Sequence, residues 1–112
     1  MEESKIYFHA GDADGIISIS PDVVSGIAAD ACIETAGVAG MASAPSGGNR
    51  GVIINFSDDS CQVEAFILVR NGFVIAEVAK EVQKAVKSAI EAGCGINVSK
   101  ADIFVAGIDM KN

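Results

Sequence analysis

The sequence predicts a two-layer α/β (α+β) sandwich in which one mixed sheet carries two helices on one face. Three observations lead there. Two segments place apolar residues at helical spacing, the segments between them alternate apolar and polar residues, and the order is β-α-β-β-α-β. Helices that leave one sheet and return to it by right-handed crossovers land on the same side of it. The 112 residues fit one domain, read as residues 15–112 behind an extension of residues 1–14. A chain of this size buries roughly two-thirds of its unfolded surface, enough for a core without metal or disulfide staples. Half of the residues are hydrophobic and tryptophan is absent, so that core must rest on Val, Ile and Ala.

The elements follow in order. "GIISIS" (15–20) is a β-branched strand, and "KIYFHA" (5–10) adds an edge strand joined to it by "GDADG". Ser20 can cap a helix, Pro21 suits the first helical position, and Asp22 favours the positive end of the helix dipole. The helix then runs with Val23, Val24, Ile27, Ala28, Ala31 and Ile33 as its apolar positions, and Gly37 supplies a left-handed stop. A loop, "GVAGMASAPSGGNRG" (37–51), leads to "GVIINFS" (51–57), where Val52, Ile54 and Phe56 share one side. "SDDS" is a turn, and "CQVEAFILVRNG" (61–72) completes a hairpin. "IAEVAKEVQKAVKSAIEAG" (75–93) is a second helix. Its stripe is Ile75, Val78, Ala79, Val82, Val86, Ala89 and Ile90, with Gly93 and Gly95 closing it. "ADIFVAGI" (101–108) is the last strand.

Charge and cysteine usage narrow the function classes. The net charge is −7, a field that repels nucleic acid and argues against a polyanion as partner. Cys32, Cys61 and Cys94 are odd in number and form no CxxC pair, so they read as reduced thiols of a cytoplasmic protein. No apolar run reaches the ~20 residues that span a bilayer, so no direct membrane insertion is expected.

Chemistry-bearing motifs fail one by one. The glycine-rich loop lacks the lysine of a nucleotide-binding P-loop and runs from helix to strand, the wrong direction. Gly37-Val38-Ala39-Gly40 satisfies the GxxG of KH domains, but that clamp joins two helices and here a strand follows. "GDADG" fails as a calcium loop because Ile17 stands where the turn needs glycine and Val23 where it needs Glu. His9, the one histidine, is tied to no nucleophile or acid by a known pattern. No catalytic, cofactor-binding or metal-binding residue is assigned.

Two surface features remain. Lys80, Lys84 and Lys87 share a helical face and form a stripe for an acidic partner, although Glu77, Glu81 and Glu91 flank it as on an ordinary solvated helix. The strands carry the sharper anomaly. If Val63, Ala65, Ile67 and Val69 take the helices, the opposite face presents Ile53, Phe66, Leu68 and Phe104 to water. Those residues form the expected self-association face of a homo-oligomer; a groove for a peptide or an apolar ligand is the runner-up. A nucleic-acid-binding module on a KH- or ferredoxin-like sheet is the alternative from another class, opposed by the charge and by the expected absence of paired exposed aromatics. A small cysteine hydrolase is the third, and it requires a thiol of depressed pKa.

"GIISISPDVVSGIAADACIETAGVAGM", the hairpin, and "GFVIAEVAKEVQKAVKSAI" followed by "IFVAGI" resemble the alkaline shock protein family of bacterial envelope stress response proteins. The resemblance covers residues 15 to 108. It is most specific at Ile19–Val23, at Gly37–Met41, and at Gly72 with the "IAEVAKEVQKAV" that follows. It implies a small non-enzymatic cytoplasmic protein of Gram-positive bacteria, linked to the cell envelope, in a family some of whose members self-assemble and are held near the membrane by a membrane-anchored protein partner. No catalytic residue carries over. Ala76 stands where the family commonly has proline, and the "KIYFHAGDADG" extension and the three cysteines are unusual for it.

Overall fold

The computed structural model describes residues 8–12, 15–45 and 47–110. Along the chain lie β1 (Phe8–Asp12), β2 (Gly15–Ile19), α1 (Pro21–Glu34), β3 (Val38–Met41), β4 (Val52–Phe56), β5 (Ser60–Arg70), α2 (Ile75–Cys94) and β6 (Asn97–Asp109). Strand β5, eleven residues long, organises the rest. One flank pairs in parallel with β6. The other pairs antiparallel with β4 along Cys61–Ala65 and with β3 along Ile67–Val69, so two short strands lie end to end against one long one. The sheet is therefore mixed and four-stranded, with both helices packed on one face.

Strict alternation along β5 decides which face that is. Cys61, Val63, Ala65, Ile67 and Val69 are buried, joined by Val52 from β4, Val38 from β3 and Val98 from β6. Helix α2 inserts Val78, Val82, Val86 and Ile90, one residue per turn, and α1 inserts Val24, Ala28, Ala29 and Cys32. The small residues on α1 let its backbone approach closely. Gly37, at φ 94°, sits so near α2 that an added Cβ would lie 2.6 Å from Val78 Cγ2 and 2.8 Å from the Phe73 ring.

The helix ends follow from local chemistry. Asp22 N–H donates to Ser20 Oγ at 3.2 Å, and Pro21 opens α1 as expected. Thr35 caps the other end through its N–H to the Cys32 carbonyl, two residues before the left-handed Gly37. Gly95, at φ 72°, closes α2, while Gly93 stays inside the helix.

Several sequence expectations need correction. The strand at residues 15–20 does not join the main sheet; among the described residues β2 pairs only with β1, in a separate antiparallel hairpin. Its place is taken by β3, inside the segment expected to be a loop. That segment is more than a linker. It supplies a strand, an Asn49–Val52 bridge, a bond from Asn49 Nδ2 to Ser25 Oγ (3.2 Å) and an Arg50–Asp30 ion pair (3.0 Å). Of the expected edge strand at 5–10, residues 5–7 lie outside the described residues, and β1 belongs to the hairpin rather than to the main sheet's edge. Val23 and Ile33 are exposed, because α1 turns the Val24–Ala28–Cys32 line inward and leaves them to the sides. Ile75 also sits outside the core, at the very start of α2. The last strand begins four residues earlier than expected, at Asn97, which brings Val98 into the core.

Ile90 is wholly buried and Ile33 is 47% exposed. We expect Ile90→Ala to lower the unfolding free energy by about 2–5 kcal/mol and Ile33→Ala to change it by less than about 0.5, measured by urea denaturation.

Candidate interaction surface

The face of the sheet away from the helices is built from the other half of the same alternation. Ile53 lies opposite Glu64, Phe66 opposite Phe104, and Leu68 opposite Gly107 on one flank and Gly40 on the other. The parallel register of β5 and β6 stacks the Phe66 and Phe104 rings, with centroids 4.8 Å apart and planes at 17°. Leu68 has glycine at both cross-strand positions, so neither directly paired residue puts a side chain over it; its Cδ2 lies 3.4 Å from where a Gly107 Cβ would stand. Phe104 is 43% exposed, while Ile53, Phe66 and Leu68 are half-buried. Gly48 folds over Ile53 closely enough that an added Cβ would sit 2.9 Å from its Cγ1. Polar residues border the patch: the Asn55–Gln62 pair, Glu64, the Lys100–Asp102 ion pair (3.6 Å) and Arg70.

The stacked rings overturn one expectation, because the sequence reading allowed no paired aromatics here. Phe66 and Phe104 are far apart in sequence, and only the β5–β6 register joins them. Their nearest charged neighbours along the strands are Glu64 and Asp102, which disfavour a phosphate backbone.

The lysine stripe is less uniform than its spacing suggests. Lys84 pairs with Glu81 at 3.7 Å and Lys87 with Glu91 at 2.8 Å, whereas Lys80 has no ion-pair partner among the described residues. Lys84 and Lys87 instead join Lys100 along a shallow groove between α2 and β6 that Lys80 does not reach. Helix α2 also covers the start of β6's outer edge. Gln83 Nε2 donates to the Ala101 carbonyl (2.6 Å), Lys87 Nζ to the Val98 carbonyl (3.5 Å), and Val98 N–H donates to Glu91 Oε2 (3.0 Å). The Lys87 bond, with the Val98 N–H behind it, holds the Glu91 carboxyl below its usual range.

The thiols are spread through the structure. Cys32 and Cys61 are buried and Cys94 is half-buried; all three are free. Burial pushes Cys32 and Cys61 from the ordinary thiol value of 9.0 up to about 11, and burial raises Cys94 as well. A nucleophilic thiol needs the opposite shift. Among the described residues, no three of His, Cys, Asp or Glu converge as a metal site. The side chain of His9 lies outside the described residues. Among the described residues, no helix is long and apolar enough to cross a membrane.

The model of the alkaline shock protein 23 family, described as having a cell envelope-related function, matches residues 9–110. The chain belongs to that family. It is 29% identical over 110 residues to YloU of Bacillus subtilis (strain 168), covering 88% of this chain and 92% of YloU. It is 27% identical over 107 residues to Spy1614 of Streptococcus pyogenes serotype M6, covering 85% of this chain and 88% of that one. Both relatives are named as uncharacterized proteins. Among solved structures, a MamM CTD variant shares the fold at TM-score 0.54 and 15% identity, over 78% of this chain and 94% of its own. A nickel form of MamM CTD gives the same TM-score at 14% identity, over 78% and 98%. At such identity the likeness is one of fold alone.

The raised thiols carry a sign. A thiol whose pKa is higher folded than unfolded adds stability below the unfolded value and loses it as pH climbs through the folded one. We expect the urea midpoint to fall between pH 9 and about 11, with a shallower fall in Cys32→Ala. At pH 8 iodoacetamide should label Cys94 before Cys32 or Cys61, as read by mass spectrometry of the folded protein.

Proposed function

We propose that this chain is a non-enzymatic structural and interaction protein that self-associates through the open face of its sheet and acts through a membrane-anchored protein partner at the cytoplasmic side of the envelope. One observation carries the reading: the Phe66–Phe104 stack and Leu68 stand on a sheet face that neither helix covers. Apolar groups so placed gain by leaving water. Burying about 400 Å² on each of two copies is worth on the order of 20 kcal/mol gross at ~25 cal/mol per Å². Association costs of about 4–15 kcal/mol or more, with side-chain ordering added, are set against that gross figure. A two-fold pair would set this patch against its own copy, with Gly40 and Gly107 beside Leu68 placing no side chain between the two surfaces there. The family's cell envelope-related function supports a place near the envelope.

Light-scattering mass tests this at high micromolar concentration. The wild type should exceed the 11.4 kDa monomer at least about twofold, the ratio of the smallest closed oligomer. Phe66→Glu and Leu68→Glu should both return it to monomer with an unchanged circular dichroism spectrum. A wild type that is already monomeric at that concentration would remove the proposal.

A further inference from the structure

We infer that the end of the molecule where α1 stops and α2 starts is a docking groove for a basic, apolar-anchored segment of another protein. This rests on reading the chain as an interaction protein but uses a surface separate from the self-association face. Phe73, Val74 and Ile75 are consecutive and 46%, 59% and 40% exposed. Their backbones complete the turn and the start of α2, with Phe73 N–H donating to the Arg70 carbonyl (3.3 Å) and the Val74 carbonyl accepting from Glu77 and Val78 N–H, but neither role needs the apolar side chains of Val74 and Ile75. Beside them a groove of about 180 Å³ is lined by Ala36, Phe73, Val74, Glu77, Val78 and Glu81. Gly37 lies against Phe73 and Val78, and its missing Cβ leaves them room there. That volume falls short of the roughly 300–1,000 Å³ of small-molecule sites and suits the anchor of a docking peptide.

Charge selects the occupant. Glu77 and Glu81 stand one helical turn apart among the lining residues. Glu77 has no ion-pair partner among the described residues, and Glu81 reaches only Lys84, at 3.7 Å with that lysine 77% exposed. A guest bearing a large apolar residue with Lys or Arg one turn away satisfies both walls. A second copy offers a poor match from its own lysine stripe, because no exposed large apolar residue lies between residues 76 and 103 of the described chain.

The experiment uses the full chain, labelled with ¹⁵N, and three 12-residue helix-forming peptides built from Leu with Lys, Gln or Glu. The Leu/Lys peptide should bind saturably and shift amides confined to residues 36–38 and 72–82. Glu77→Lys with Glu81→Lys should weaken it about tenfold or more, whereas Asp58→Lys with Asp59→Lys, the same charge change at the β4–β5 turn, should cost less than about twofold. Equal losses in the two double variants, equal binding of the Leu/Gln peptide, or shifts centred on Phe66 and Phe104 would overturn the inference. So would a drop in light-scattering mass on Glu77→Lys with Glu81→Lys, which would assign the groove to a second copy. A monomeric wild type that still binds the peptide at residues 72–82 would strike the self-association proposal and leave this one standing.

Discussion

The structure depends on one constraint, the two-residue period of β5. Its side chains must divide between two faces, and a slip of one residue would send Ile67 and Val69 into water and Glu64 and Arg70 into the core. Register is therefore fixed by burial, and every neighbour follows it. β4 and β3 share one flank because β5 is long enough for both, and β6 takes the other in parallel because α2 carries the chain back across the same face. Both helices are used on that side. The Phe66–Phe104 stack is what remains.

Much of this was legible in the residues. Helix α2 announces itself through Val78, Val82, Val86 and Ile90, the hairpin through its alternation around the Asp58–Asp59 turn, and the start of α1 through Ser20, Pro21 and Asp22. The open-face residues could be chosen from the sequence because alternation names both faces of a strand at once. What was hidden depended on partners distant along the chain. Val38–Met41 holds two ordinary sheet residues around an Ala-Gly middle, too short to give a period, and only its pairing with Ile67–Val69 makes it a strand. The exclusion of β2 from the sheet has the same cause, since a β-branched run does not say which edge is already filled. Ile33 fits a helical stripe on paper but lies outside the arc that faces β5 and α2. The groove at Phe73 escaped notice because its walls come from Ala36 and Glu77, on opposite sides of the sheet strands that separate them in sequence.

The chemistry of the site points one way throughout. Thiols raised by burial are poor nucleophiles, and the carboxylates with clear partners serve structural ends: Asp30 ties the long loop to α1, and Glu91 tethers α2 to the start of β6. The surface features left over are apolar: the open sheet face borders charges of both signs, and the groove at Phe73 is flanked by Glu77 and Glu81. Membership of an envelope-related family fits such a protein, whose output would be set by what it touches.

In solution the open face is expected to meet its own kind. Solvent paramagnetic relaxation of the Phe66 and Phe104 ring protons, followed with an inert gadolinium chelate as protein concentration rises, addresses it most directly. Self-association through the open face requires those rings to become progressively shielded while surface groups of α2 such as Lys80 stay accessible. Rings that remain equally accessible from low to high concentration would contradict it.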